Sequence, residues 1–175
     1  MNLYYAKTIL YAYPNIEVLA EQIDEVVERK AISSMMDFRP CLEQCYSLLD
    51  LTYYKDCLFS LKLIVEDIIS ILKAKDLELV EYKYFHSKKR EDLIYVDINT
   101  RSYYRRQAKI VDKIALMLEN RGINNAYFEE KYLCSDFFKE LLERIMAHEK
   151  SYEKARKFKP KTLKTTLTLP NKLSA

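Results

Sequence analysis

One glycine, Gly122, stands in 175 residues, and that scarcity constrains the fold more than any other feature. Loops that cradle phosphate need several glycines close together, so a Walker loop and a dinucleotide fingerprint are both excluded. Sandwiches and barrels, which spend glycine on their turns, are disfavoured for the same reason. With four prolines and long runs of Leu, Ile, Glu and Lys, the chain reads as all-α, a multi-helix bundle around a long central helix. Its length supports one domain, with or without a small satellite, and a real core.

Apolar spacing gives the element order. Leu3, Ala6, Leu10 and Tyr13 recur at helical intervals, Pro14 ends that helix, and Asn15 caps the next. There Ile16, Leu19, Ile23, Val26 and Val27 form a stripe, and Glu17, Glu21, Asp24, Glu25 and Glu28 make the opposite face acidic. That acidic face over residues 15–30 is either plain solvated surface or a dock for a basic partner. After a loop over residues 33–39, Pro40 suits a helix start. The following 34 residues hold no breaker, and Leu42, Tyr53 and Ile64, like Tyr46, Cys57 and Ile68, repeat every 11 residues. That period fits one nearly straight helix of about 50 Å. A break near Tyr53–Asp56, giving two antiparallel helices, is the alternative. A long helix of this kind is an internal spine or the seam of a homodimer.

A fourth helix is expected through Leu77, Val80, Tyr84 and Phe85, with Lys75 and Asp76 at its start. Asn99 or Thr100 should cap a longer one running to about Asn120, where Gly122 takes the left-handed cap and Ile123 folds back on the last turn. A short helix over Ala126–Leu133 follows. A last helix begins at Ser135–Asp136 with the stripe Phe138, Leu141, Leu142, Ile145 and Met146, and His148 is expected half-buried. Beyond about residue 158 the Lys- and Thr-rich tail lacks periodicity and is expected to be disordered. The implied organisation is 1–74 with the long helix, 75–123, 124–157 packed on the body, and the tail 158–175.

Charge is unevenly spread. Residues 1–80 carry 8 Lys/Arg against 13 Asp/Glu, residues 81–113 carry 9 against 5, residues 114–149 carry 4 against 7, and residues 150–175 carry 8 against 1. An acidic body thus bears two basic zones, a distribution suited to a polyanion. No stretch reaches the roughly 18 apolar residues of a membrane span, and the N-terminus lacks a signal-peptide pattern. The thiols of Cys41, Cys45, Cys57 and Cys134 are therefore expected reduced, in a cytoplasmic protein, as small buried hydrophobes. His86 and His148 lack paired spacing, so neither a metal nor a cofactor is expected. The carboxylate pairs Glu66–Asp67 and Glu129–Glu130 are adjacent in sequence and point apart on a helix. No nucleophile–base arrangement has recognisable spacing, and an enzyme is not expected. Tyr4, Tyr5, Tyr11 and Tyr13 are read mainly as packing.

The constellation that points to function lies between Val80 and Leu118. A helix ending Tyr-Lys-Tyr-Phe is followed by a polar segment, a turn at Val96–Asn99, and a helix opening Thr100-Arg101-Ser102-Tyr103-Tyr104-Arg105-Arg106-Gln107. On that helix Tyr103, Ile110, Ile114 and Met117, with Tyr104, Val111 and Leu118 beside them, make a wide apolar stripe. Arg101, Arg105, Arg106, Lys109 and Lys113 project from the other side, with Arg101, Arg105 and Lys109 on one ridge. Such a helix fits a major groove, with Asn99, Thr100 and Arg101 at base edges, Arg105, Arg106 and Lys109 at phosphates, and Ser102 adding a phosphate hydrogen bond.

The order and residue types resemble the helix-turn-helix of sigma-factor region-four-like proteins, and in particular the ArpU-type phage regulators, over about residues 78–118. The remainder resembles small uncharacterised proteins of low-GC Gram-positive bacteria (Firmicutes), from which no function carries over. The resemblance implies a DNA-binding, transcription-associated regulator with a recognition helix at Thr100–Lys113. The motif is degenerate, because Asp97 or Ile98 stands where the turn glycine is customary and His86–Asp92 makes a polar, poor middle helix. The bland alternative is an ordinary amphipathic helix with a basic outer face, in a scaffold that binds protein and no nucleic acid.

Overall fold

A computed structural model describes residues 1–34, 40–98 and 101–157, the side chains of 152–157 excepted. The tail expected to be disordered, and the positions Asn99 and Thr100, lie outside the described residues. Described segments are helical, with no strand among them. In order they are α1 (Leu3–Ala12), α2 (Ile16–Ser33), α3 (Cys41–Ser70), α4 (Ala74–Val80), α5 (Arg101–Asn120), α6 (Asn125–Lys131) and α7 (Asp136–Lys157). No described helix is long and apolar enough to cross a membrane.

Helix α1 is the hub. Asn2 caps it through its side chain, and its Ala6, Ile9 and Leu10 are fully buried against α5, α7 and the turn after α4. Three of the N-terminal tyrosines supply the packing expected of them. Tyr5 stacks on Phe128 at 4.7 Å, Tyr11 meets Tyr84 edge-on at 4.8 Å, and Tyr13 lies against Phe85 at 4.7 Å. The Pro14 boundary differs from expectation. Asn15 sits in helical backbone and its side chain makes no capping bond. The chain passes through a 3-10 turn, Tyr13–Asn15, straight into α2, because Pro14 at a turn's first positions needs no N–H partner.

The second and third helices form an antiparallel hairpin, and α3 is the single long helix, unbroken over 30 residues. Part of the acidic face of α2 finds its cations here: Lys55 meets Asp24 at 2.6 Å, and Lys62 pairs with Glu17. The 11-residue repeat changes environment half-way. Tyr46 is exposed where Cys57 and Ile68 are buried, and Leu42 and Tyr53 are exposed where Ile64 is half-buried. The buried residues of α3 are Cys57, Leu58, Leu61, Val65 and Ile68. Only its second half therefore crosses the body; the first half, with the distal part of α2, projects as a two-helix arm.

The far end of the body is aromatic. Phe128, Tyr132 and Phe138 bury one another, and the Tyr132 hydroxyl donates to the Cys57 carbonyl at 3.1 Å. Gly122 adopts φ +89°, and the Ile123 N–H reaches the Leu118 carbonyl at 3.0 Å, which is the expected left-handed cap. Two expectations fail. Cys41, Cys45 and Cys134 are exposed and Cys57 alone is buried, since two of the three lie on the arm. His148 is exposed as well, because burial along α7 fades after Ile145 and Met146.

Burial pushes the phenols of Tyr54 and Tyr103 up to about 12 and raises those of Tyr84 and Tyr132 from 10.0. A raised phenol holds its proton in the folded state, so the stability it lends is complete below pH 10 and is lost as pH climbs toward 12. An alkaline titration should show late phenolate absorbance rising together with loss of helical circular dichroism; late ionisation with the helices intact would contradict this packing.

Candidate nucleic-acid interface

The short helix α4 carries the residues that organise this region. After Val80 its backbone loosens into a π turn, Glu81–Phe85, and stops at His86, whose φ of +53° is left-handed. The Ser87 N–H then bonds back to the Glu81 carbonyl at 3.2 Å. A histidine in that conformation costs about 1 kcal/mol or more. It is held there by its tilted contact with Tyr11, while the turn beside it is tied down by Lys88 on Glu81 at 2.9 Å.

From His86 to Ile98 the chain holds one 3-10 turn, Arg90–Asp92, where the resemblance implies a short second helix. The polar run His86–Asp92 has no apolar face to bury, so it cannot pack as that helix would. A buried carboxylate fixes the loop instead. Glu78 is 2% exposed, and its two oxygens accept the backbone N–H groups of Ile94 and Tyr95 at 2.7 and 2.8 Å. Val96 is buried beneath them.

Helix α5 emerges from this loop. Tyr103, Ile110, Val111, Ile114 and Leu118 are buried as the spacing predicts, and Met117 packs beside them. Tyr104 leaves the expected stripe: it is 56% exposed, edge-on to Tyr103 at 5.2 Å. Its ring borders the open space beside Lys83, His86 and Ile98.

The polar side of α5 holds the predicted site residues. Arg101, Ser102, Arg105, Lys109 and Lys113 are all exposed. Arg101, Arg105, Lys109 and Lys113 follow one another at intervals of four, a row about 18 Å long at 1.5 Å per residue. Asp112 shares this face, and no ion pair to any of the four cations is seen among the described residues. Arg106 is placed differently. It turns toward α4, where its Nε meets Asp76 at 3.0 Å. Gln107 donates to the Tyr84 hydroxyl at 3.2 Å, so the inner flank of the helix is tied to the body and the outer flank is open.

Two clefts flank the start of α5. One, of about 490 Å³, lies between the 95–97 loop and the helix and is bordered by Tyr95, Arg105, Arg106 and Lys109. The other, of about 450 Å³, lies on the far side of Tyr103 and Tyr104, next to Lys83 and His86. The exposed rings of Tyr95 and Tyr104 thus stand beside the cationic row.

The first turn of α5 contains no acid. A helix N-terminus carries the positive end of the macrodipole and normally recruits Asp or Glu. Here Arg101, Arg105 and Arg106 crowd the first two turns. That order works against folding and concentrates positive potential at one exposed end, where an anion is favoured. Among the described residues no three His, Cys, Asp or Glu side chains gather as a metal site would need. No protein-family model, no curated protein and no solved structure matches the chain.

Sequence reasoning missed Glu78, Asp76 and Tyr95. The signal for Glu78 was present as an acid enclosed by Leu77, Leu79 and Val80 in a short helix, a place where a carboxylate needs donors. Glu78→Ala should cost about 3 kcal/mol, since it removes the charged acceptor of two N–H groups at once. Glu78→Gln, which keeps one acceptor, should cost less. Urea unfolding of both variants checks the order; equal stability in all three proteins would remove the latch from this account.

Proposed function

We propose that this is a non-enzymatic DNA-binding protein, a transcription-associated regulator that lays the open face of α5 against duplex DNA. The observation that carries the reading is the acid-free start of α5, with Arg101, Arg105, Lys109 and Lys113 in one exposed row. Such a row is costly for folding and useful for a polyanion. Arg105, Lys109 and Lys113 contact phosphates, Ser102 adds a hydrogen bond, and Arg101, with Asn99 and Thr100 just ahead of it in sequence, reaches base edges. Arg106 is assigned a different part: held on Asp76, it ties α5 to α4 and so sets the angle at which the row is presented.

The helix-turn-helix resemblance bears on this reading only through the sequence of α5, because a single 3-10 turn, Arg90–Asp92, stands where its middle helix would be. The Lys-rich tail adds charge without sequence information, so the test keeps it constant. Full-length protein and the variant Arg101→Glu, Arg105→Glu, Lys109→Glu, matched for helix content, are titrated with mixed duplex DNA across a salt series. Wild type should bind with log K falling linearly against log salt, and the variant, which loses the phosphate contacts of Arg105 and Lys109, should lose about two units of that slope. Equal affinity and slope in the two proteins would refute the α5 interface.

A second reading is favoured by one observation of its own. Leu42, Tyr46, Leu49 and Tyr53 are 55–69% exposed and fall on one ridge of the arm, facing away from α2. Their 4-3-4 spacing is a heptad seam with leucine at both d positions, the choice of parallel two-stranded coils. Its acids, Glu43 and Asp50, lie on one flank, so a parallel pairing with a second copy avoids acid against acid. Under this reading the protein is a helical scaffold that dimerises through α3. Sedimentation velocity should then give a dimer that Leu49→Glu converts to monomer; a wild-type monomer at high concentration rules it out.

A further inference from the structure

The cleft beside the cationic row has features that a duplex contact does not use. Duplex DNA presents phosphates and base edges, with its base faces stacked away inside. The cleft between the loop and α5 is nevertheless bordered by an aromatic face. Tyr95 is 52% exposed and forms one wall, while Arg105, Arg106 and Lys109 form the other. Its volume of about 490 Å³ falls in the range of about 300–1,000 Å³ usual for small-molecule sites.

One element of each wall is fixed before anything binds. The Tyr95 backbone is pinned by Glu78 at 2.8 Å, and Arg106 is oriented by Asp76 at 3.0 Å. An exposed tyrosine held on a pinned backbone has less freedom to lose when a flat partner stacks on it. Among the described residues Asp97 is the one acid on this rim, against Arg105 and Lys109 besides the Asp76-paired Arg106, so the net charge offered to a ligand is positive. A ring on one side and two or three cations on the other is the arrangement that takes a base face together with its own phosphate. Tyr104, 56% exposed at the neighbouring cleft, offers a second ring on the other side of the helix start.

We infer that this cleft receives one unpaired nucleotide, its base against Tyr95 and its phosphate on Arg105 and Lys109, so that the preferred ligand is DNA in which duplex adjoins an unpaired base. This rests on the duplex reading of α5 and adds to it the structural class of the target. The specificity is for an exposed base face, and stacking tolerates any base.

The test uses the full chain and three fluorescent DNAs of equal length: a perfect duplex, the same duplex with a single-nucleotide bulge, and a duplex with a short single-stranded fork. Bulged and forked DNA should bind about tenfold more tightly than perfect duplex, the size of one base–aromatic stack. Tyr95→Ala should remove that preference and leave affinity for perfect duplex unchanged. Tyr95→Phe, which keeps the ring, should retain it. Equal affinity for all three DNAs, or a preference that survives Tyr95→Ala, overturns the cleft assignment while the α5 interface stands. Absence of binding to every DNA overturns both.

Discussion

A carboxylate almost sealed from water has to be satisfied, and Glu78 is satisfied by the backbone of the loop sixteen and seventeen residues away. That interaction decides what the basic region is. Without it, the stretch between α4 and α5 is a polar connection with one 3-10 turn, free to cover or uncover the helix beyond it. With both carboxylate oxygens engaged at 2.7 and 2.8 Å, the loop becomes a wall and Val96 is pressed into the core. The Arg106–Asp76 pair works in the same direction from the helix side. Two acids of one short helix therefore hold the two edges of the cleft.

Much of the architecture was legible in the chain. The all-helical class follows from glycine scarcity, the unbroken α3 from an uninterrupted run after Pro40, and the end of α5 from Gly122 followed by Ile123. These are features in which one residue type has one cheap conformation. The end of the α4 segment was not legible, because the left-handed position is filled by His86, which carries no local sign of that backbone. The cysteines misled for a tertiary reason. Thiols are usually buried, but residues 41 and 45 lie exposed on the arm, and a helical pattern does not reveal where the body stops.

The candidate site was half legible. Spacing alone aligned Arg101, Arg105, Lys109 and Lys113 on one open face. It could not separate Arg106 from Arg105, since that distinction depends on where Asp76 stands in three dimensions. Nor could it identify Tyr95 as a wall. A tyrosine next to valine reads as strand or packing until the loop is folded, and the loop's shape depends on a buried acid from another element.

The arm has a mechanical consequence. Half of α3 is embedded in the body through Cys57, Leu58, Leu61, Val65 and Ile68, and the other half is cantilevered from it as the same unbroken rod. A load at Leu42 is therefore not absorbed by a hinge in α3; it arrives as torque at the root. There the Cys57 carbonyl takes the Tyr132 hydroxyl, and further along Asp67 holds Arg121 at the end of α5. Bending the arm works directly against the far end of the helix that carries the cationic row.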